Sequence, residues 1–226
     1  MSFLAVGRLS DSPYVDSVWY GQSADDDITL MCPADGRWNL CLTRFQGQLQ
    51  VSIEGPISRA IPKTHVDGVE WMVIKFKLGV VMPFLSASDI LDSQALLPGG
   101  AFRSFWLDGA TWELPNFENA DTFVDKLVKD EVVLWEPVVK AALEDQQPPL
   151  SPRTIRHRFL RNIGLTQGHI RQIERARDAS TLLQMGISIL DVTDQMGYAD
   201  QPHLTRALKR YMGYTPVQTM QIKPFM

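Results

Sequence analysis

The sequence is poor in cysteine, because Cys32 and Cys41 are the only two in 226 residues. A pair of thiols cannot form a disulfide scaffold or a four-cysteine zinc site, and such sparse use is typical of proteins from a reducing compartment. The chain also lacks an apolar run long enough to span a bilayer, and it does not begin with a basic segment followed by an apolar stretch. We therefore expect a cytoplasmic protein with no membrane partner.

Sequence motifs of enzymes are missing as well. The chain contains no GxSxG, HExxH, phosphate-loop or dinucleotide-binding pattern. Before residue 147 the only histidine is His65, so a histidine-rich metal centre is not expected there. The sequence thus predicts a protein that is not an enzyme and that needs no metal or cofactor.

Charge is low overall but unevenly distributed. A formal net charge of -4, if spread evenly, would disfavour a nucleic-acid partner, because phosphate backbones repel acidic proteins. Residues 1–147 carry 11 Lys and Arg against 21 Asp and Glu, a net charge of -10, whereas residues 148–226 carry 11 against 5, a net charge of +6. All six tryptophans lie in the acidic part. This asymmetry predicts two modules with different partners.

The acidic part has the pattern of a β-rich module. Residues 37–53 alternate apolar and polar positions around Gly47, and residues 69–78 are rich in β-branched and aromatic side chains. Residues 121–134 change to the period of an amphipathic helix. The Pro148-Pro149 pair then prevents a helix from continuing and marks a boundary.

The predicted fold class is α+β, with a β-rich N-terminal module followed by an all-α domain. The predicted regions are a barrel-like or sandwich module at 1–118, a helical linker region at 119–147 and a helix-turn-helix domain at 148–226. The tryptophans of the first region either line an apolar pocket or form its core, and the core interpretation is favoured.

Four pairs of a capping residue and a terminating glycine predict four helices in the basic part. The pairs are Ser151 with Gly164, Thr166 with Gly186, Ser188 with Gly197, and Asp200 with Gly213. The first and last of these helices, near 152–163 and 201–212, are short. The second is a connector of about 18 residues, which corresponds to about 27 Å at 1.5 Å per residue.

An internal repeat with an offset of 49 residues is the strongest signal in the chain. The aligned pairs include Ser151 and Asp200, Ile155 and Leu204, Phe159 and Leu208, Gly164 and Gly213, and Thr166 and Thr215. Both copies place a cap, an apolar face and a terminating glycine in the same order, so they are two copies of one helical unit. The opposite face of each short helix is left for polar residues near its start.

Polar residues on these faces suit the recognition of duplex DNA. Short helices that follow a turn, spaced about 34 Å apart, can read base edges in successive turns of the major groove. Arginine pairs with guanine and glutamine with adenine. The predicted base-reading residues are Arg153, Arg156 and His157 in the first copy and Gln201, Thr205 and Arg206 in the second. The predicted phosphate contacts are Arg158, Arg161, Arg171, Arg175, Lys209 and Arg210.

The stretch GYADQPHLTR from Gly197 to Arg206, followed by Lys209, Gly213, Thr215 and Pro216, resembles the C-terminal signature of AraC/XylS-type transcription regulators. The resemblance covers residues 136–222. It implies a bacterial regulator in which two helix-turn-helix units, joined by a linker helix, bind double-stranded DNA as one polypeptide. It also implies an N-terminal sensor, often a cupin-type β-barrel, which binds a small-molecule effector or forms a homodimer.

The first copy of the repeat departs from the second upstream of Pro148. Lys140 and Glu144 stand where the second copy has Ile189 and Thr193, so the first unit is predicted to be degenerate. Two interpretations therefore remain open. One is a sequence-specific transcription regulator, and the other is a ligand-binding or protein-interaction module whose DNA-binding repeat has decayed.

Overall fold

The computed structural model describes residues 2–24, 27–100, 103–144, 146 and 148–222. Residues 1, 147 and 223–226, at the ends of the predicted regions, lie outside these ranges. The strands are β1 (Ser2–Leu9), β2 (Val15–Ala24), β3 (Ile28–Cys32), β4 (Asn39–Phe45), β5 (Gln48–Glu54), β6 (Ile61–His65), β7 (Glu70–Phe76), β8 (Val80–Val81), β9 (Gln94–Leu97), β10 (Ser104–Leu107), β11 (Ala110–Glu113) and β12 (Leu134–Trp135). The helices are α1 (Ala120–Lys129), α2 (Pro137–Leu143), α3 (Pro152–Ile163), α4 (Gln167–Gln184), α5 (Ile189–Gln195), α6 (Gln201–Tyr211) and α7 (Pro216–Gln221).

A six-stranded antiparallel sheet with the order β1-β2-β7-β4-β5-β9 forms the centre of the N-terminal part. The hairpin between β4 and β5 turns at Gln46 and Gly47, whose φ angles are 49° and 77°. Positive φ at both central residues matches the twist of the flanking strands. Leu40 lies opposite Ile53 in this hairpin, which confirms strands within residues 37–53, but burial does not alternate along them, because the four side chains of residues 39–42 are all buried.

The β-rich part followed by helices is confirmed, but the barrel-like form is wrong. Within the described residues the large sheet stays open, because β1 and β9 are its two edges and do not pair with each other. One sheet face packs against α1 and the hairpin β10–β11 instead of against more strands of the same sheet. Phe123 on α1 contacts the rings of Phe105 and Trp112, with centroids 6.2 Å apart in both pairs.

The tryptophans have several different environments. Trp38 and Trp112 are buried, with 1% and 8% of their surface exposed, as the core interpretation predicts. Trp106, in contrast, is 47% exposed. The core interpretation therefore describes part of the set, and Trp38 also has a second role, described below.

The repeat is confirmed in the arrangement of the helices. Helices α3 and α6 begin at Pro152 and Gln201, and the helices that follow them begin at Gln167 and Pro216, so both pairs are separated by 49 residues. The four predicted N-caps each accept a hydrogen bond from the backbone N–H three residues later; they are Ser151, Thr166, Ser188 and Asp200. These local bonds satisfy amides that the helix itself leaves without partners.

The first unit keeps a scaffold helix, but this helix begins three residues earlier than the repeat predicts, since Pro137 of α2 and Ile189 of α5 are 52 residues apart. Helix α2 has seven residues, as α5 does. The Glu136 side chain caps α2 by accepting from Val139 N at 2.6 Å, and Pro137 occupies the first turn. Val139 and Ala142 are buried among the other helices, so α2 keeps the apolar contacts that hold a scaffold helix.

Two hydrophobic cores divide the molecule. Helix α1 packs in the first core with the strands, whereas α2 packs in the second core with α3, α4 and α6. We call the described residues up to 135 the β module and those from 137 to 222 the helical domain. Ala34 of the β module is buried in the second core, so the two parts are in direct contact.

Candidate nucleic-acid interface

Helix α3 separates an apolar face from a polar one. Phe159 and Ile163 are fully buried in the helical domain. Arg153, Arg156 and His157 lie on the opposite side and are exposed. Their spacing of three and four residues places them on one helix face. Within the described part of the chain, no hydrogen bond or ion pair engages these three side chains, so they are available to an external partner.

Helix α6 repeats this arrangement with different side chains. Leu204 and Leu208 are fully buried, while Gln201 and Arg206 are exposed and Thr205 is half-buried. Pro202, in the first turn, takes the position that Arg153 has in α3. The second helix therefore offers a hydroxyl and a guanidinium group, from Thr205 and Arg206, at the positions of Arg156 and His157, and the amide of Gln201 lies one residue before the position of Arg153.

Five of the six residues predicted to contact phosphates fall into two groups, and the sixth, Arg171, is exposed on α4. Arg161, Lys209 and Arg210 are exposed near the ends of α3 and α6. Arg158 instead pairs with Glu136, with Nη1 and Oε1 2.7 Å apart. Arg175 stacks on Tyr198, with its Cζ 4.3 Å from the ring centroid. Both of these arginines therefore hold helices together within the protein.

A cluster of charged residues, which we call the joint, connects the β module to α4, and no known sequence motif indicates it. Asp35, only 3% exposed, contacts Lys75 Nζ at 2.8 Å and Arg37 Nη1 at 2.9 Å. Arg177 Nη2 lies 3.5 Å from the same carboxylate, and Glu174 accepts from Arg37 at 3.3 Å. Burial alone would raise the pKa of Asp35, but the three cations outweigh it and hold the pKa well below its ordinary value.

Close backbone approach accompanies this cluster. A Cβ added to Gly36 would displace the end of the Ile170 side chain on α4, so glycine lets the loop approach the helix without that rearrangement. The part of the cluster that is visible in the sequence is the run Asp35-Gly36-Arg37, in which two opposite charges flank a glycine just before Trp38. That signal cannot be distinguished from an ordinary surface turn without knowing what packs on it.

A cavity of about 480 Å³ opens between the large sheet and the segment that precedes α1. Its walls include Tyr20, Trp71 and Phe117, and the ion pair between Arg44 and Glu70, 3.8 Å apart, adds polar groups. Its size lies within the range of small-molecule sites.

Metal, thiol and membrane sites each require a particular arrangement of residues. Among the residues that the structure describes, no group of three or more His, Cys, Asp or Glu side chains is arranged to hold a metal ion. Burial raises the pKa of both free thiols, Cys32 and Cys41, which disfavours a reactive thiolate. No described helix has the length and apolar character of a membrane span.

Two short helices that begin 49 residues apart, each preceded by a scaffold helix and presenting an exposed polar face, define a double helix-turn-helix domain. Comparison with known proteins agrees, since residues 149–222 match the family described as a helix-turn-helix domain. The resemblance to AraC-type regulators is thereby confirmed for this region of the chain.

One curated relative is the HTH-type transcriptional regulator RipA of Corynebacterium glutamicum, which is 32% identical over 88 residues. That match covers 38% of this chain and 27% of RipA. Among solved structures, a variant of apo ToxT from Vibrio cholerae strain SCE256 aligns over 98% of this chain and 97% of its own, at 10% identity and a TM-score of 0.36. A score this low carries no argument about the β module.

Proposed function

We propose that this protein is a DNA-binding transcription regulator that reads two half-sites with α3 and α6. The observation that carries the proposal is the pair of equivalent helices with exposed, unengaged polar residues near their starts. Arg153, Arg156 and His157 on α3, and Gln201, Thr205 and Arg206 on α6, are assigned to base edges. Arg161, Lys209 and Arg210 are assigned to phosphates, which fix the register of the protein on the duplex.

The alternative of a decayed repeat is less well supported. Decay would remove selection on both the scaffold and the polar face of the first unit. Helix α2 is nevertheless capped by Glu136 and buries Val139 and Ala142, and α3 has three exposed polar residues on one face. The second unit is supported further by the likeness of residues 149–222 to helix-turn-helix domains.

Selection of bound sequences from random duplex DNA by the full chain tests the proposal. We expect enrichment of two short motifs whose centres lie about 10 base pairs apart, since that is one turn of B-DNA. Affinity for the enriched duplex is expected to fall by about 0.9 log units per log unit of salt for each phosphate contact. Failure to enrich any sequence, or binding that ignores salt, would favour the protein-interaction alternative.

We further propose that the β module binds a small molecule in the cavity beside Trp71. The supporting observations are its aromatic walls and the Arg44–Glu70 pair at its rim, because effector sites combine apolar surface with a few polar groups. A thermal-shift screen of metabolites should find a compound that also shifts tryptophan emission, and Trp71→Phe should remove much of that shift. A screen without a stabilising compound would favour a structural role for this module. Dimerisation stays a prediction.

A further inference from the structure

The β module contacts the C-terminal ends of α3 and α6, which we call the recognition helices, at equivalent positions. Ala87 N donates to Arg161 O of α3 at 3.0 Å, and Ala60 N donates to Arg210 O of α6 at 2.8 Å. One residue further along each helix, the indole Nε1 of Trp38 donates to Asn162 O at 3.1 Å, and Ala34 N donates to Tyr211 O at 2.6 Å. We call these four hydrogen bonds the end contacts.

The end contacts follow the internal repeat. Arg161 and Arg210 are 49 residues apart, as are Asn162 and Tyr211. All four accepting carbonyls belong to the last turn of a helix, where the helix itself provides no donor. The β module therefore satisfies the same two carbonyls in each copy, by using three loops: the one before β4, the one before β6 and the one after β8.

Glycines reinforce this equivalence. Gly164 and Gly213 end the two helices with φ angles of 72° and 84°. A Cβ at Gly164 would lie 3.0 Å from Ala87 O, and one at Gly213 would clash with Met31. In contrast, the terminating glycine of α5, Gly197, has no neighbour within 4 Å of such a Cβ. Of these three helix ends, those of α3 and α6 pack against the β module, and that of α5 does not.

The linker helix by itself holds the two units unequally. Helix α4 packs most closely against α6 and α7, whereas α3 packs most closely against α2. The position of α3 relative to α6 therefore depends on the shared core and on the β module that contacts both. The cluster of Asp35, Arg37, Lys75, Glu174 and Arg177 fixes the β module to α4 as well.

We infer that the β module sets the separation and relative orientation of α3 and α6, so that Trp38 and the joint at Arg177 determine which half-site spacing the protein accepts. This inference rests on the proposed DNA-binding function. The starts of both helices stay exposed while their ends are held, so the end contacts orient the helices without covering the base-reading residues. Inserting one base pair shifts a half-site by about 3.4 Å and rotates it by about 35°, which a fixed pair of helices cannot follow.

The test measures affinity against spacing with the full-length chain. Duplexes carry the two selected motifs at the preferred separation and with one or two base pairs added or removed. We expect the wild type to favour the preferred separation over its one-base-pair neighbours on the order of tenfold. The double variant Trp38→Phe with Arg177→Gln removes the indole donor and the α4 contact; it should reduce that preference by about threefold or more. Its affinity for a duplex with one motif should stay at the wild-type value.

Trp112→Phe provides a matched control. Trp112 Nε1 also donates to a backbone carbonyl, Leu107 O, at 3.1 Å, but both residues lie inside the β module. This variant should keep the wild-type spacing preference. If the double variant does not give a folded circular dichroism spectrum, Arg177→Gln alone serves in its place.

The outcomes separate the two claims. Variants that keep the wild-type spacing preference, or a wild type without one, would overturn the inference and leave DNA binding standing. A wild type that binds no duplex would overturn the proposed function itself.

Discussion

Replacing Gly213 by alanine should destabilise the protein more than the same change at Gly197. Both glycines end a helix with positive φ, 84° and 66° respectively. An L-residue in the left-handed region costs about 1–2 kcal/mol at either position. At Gly213 the new methyl group would also lie 2.7 Å from Met31 Sδ and 3.2 Å from Ala60 Cβ, and such overpacking costs about 1–3 kcal/mol more.

Urea unfolding followed by circular dichroism measures both free energies. We expect losses of about 1–2 kcal/mol for Gly197→Ala and about 2–5 kcal/mol for Gly213→Ala. Because Met31 is the clashing group, Met31→Ala should relieve the second cost, so the double variant should be more stable than the sum of the single changes predicts.

Equal losses at the two glycines would refute the reasoning, since the difference comes only from the β module. Strict additivity of the changes at Met31 and Gly213 would refute it as well. Either result would mean that α6 and the β module do not pack as described, and the end contacts would lose their structural basis.

Three further predictions concern the joint, the base contacts and the caps. The cations around Asp35 lower its pKa, so its carboxylate stabilises the folded state above about pH 4 and loses this effect as the pH falls further. The difference in urea midpoint between the wild type and Asp35→Asn should therefore shrink from pH 7 to pH 3. A difference that stays constant over this range would contradict the prediction. Arg206→Ala should weaken binding to the selected site by about 1–3 kcal/mol and relax one base position, whereas Lys129→Ala, which removes an exposed cation on α1, should leave both unchanged in a binding titration. Asp200→Ala should lower the free energy of unfolding by about 0.5–2 kcal/mol, measured in urea, and no loss would show that the cap is not formed in solution.

Local signals predicted the helical domain well. The caps at Ser151 and Asp200, with the glycines that follow, were sufficient to predict the bounds of α3 and nearly those of α6, because capping involves residues only three positions apart. Strand alternation likewise predicted the hairpin of β4 and β5. The order of the large sheet was not predictable, since β7 inserts between β2 and β4 through pairing that no local pattern encodes.

The joint between the modules was missed for the same reason. Trp38 has the pattern of a core residue, and its partner Asn162 lies 124 positions away. Asp35 has the appearance of a surface acid until Lys75 and Arg177 are known to surround it. Arg158 and Arg175 illustrate the converse error, because a basic helix face in the sequence includes arginines that the structure uses for Glu136 and Tyr198.

The end contacts show where the acidic β module lies relative to the base-reading residues. Residues 1–135 carry 10 Lys and Arg against 18 Asp and Glu, and this net charge of -8 would oppose DNA binding if the β module lay beside the starts of α3 and α6. Its loops instead contact the other ends of both helices, at Arg161 and Arg210. The acidic part thus holds the basic part from the side away from the base-reading residues, and it takes only the backbone carbonyls of Arg161 and Arg210, whose exposed side chains are left for phosphates. The negative charge of one of its acids, Asp35, is balanced by Lys75 and Arg37. A net charge of -4 is therefore compatible with a DNA-binding surface, because attraction to phosphate depends on the charge nearest to it.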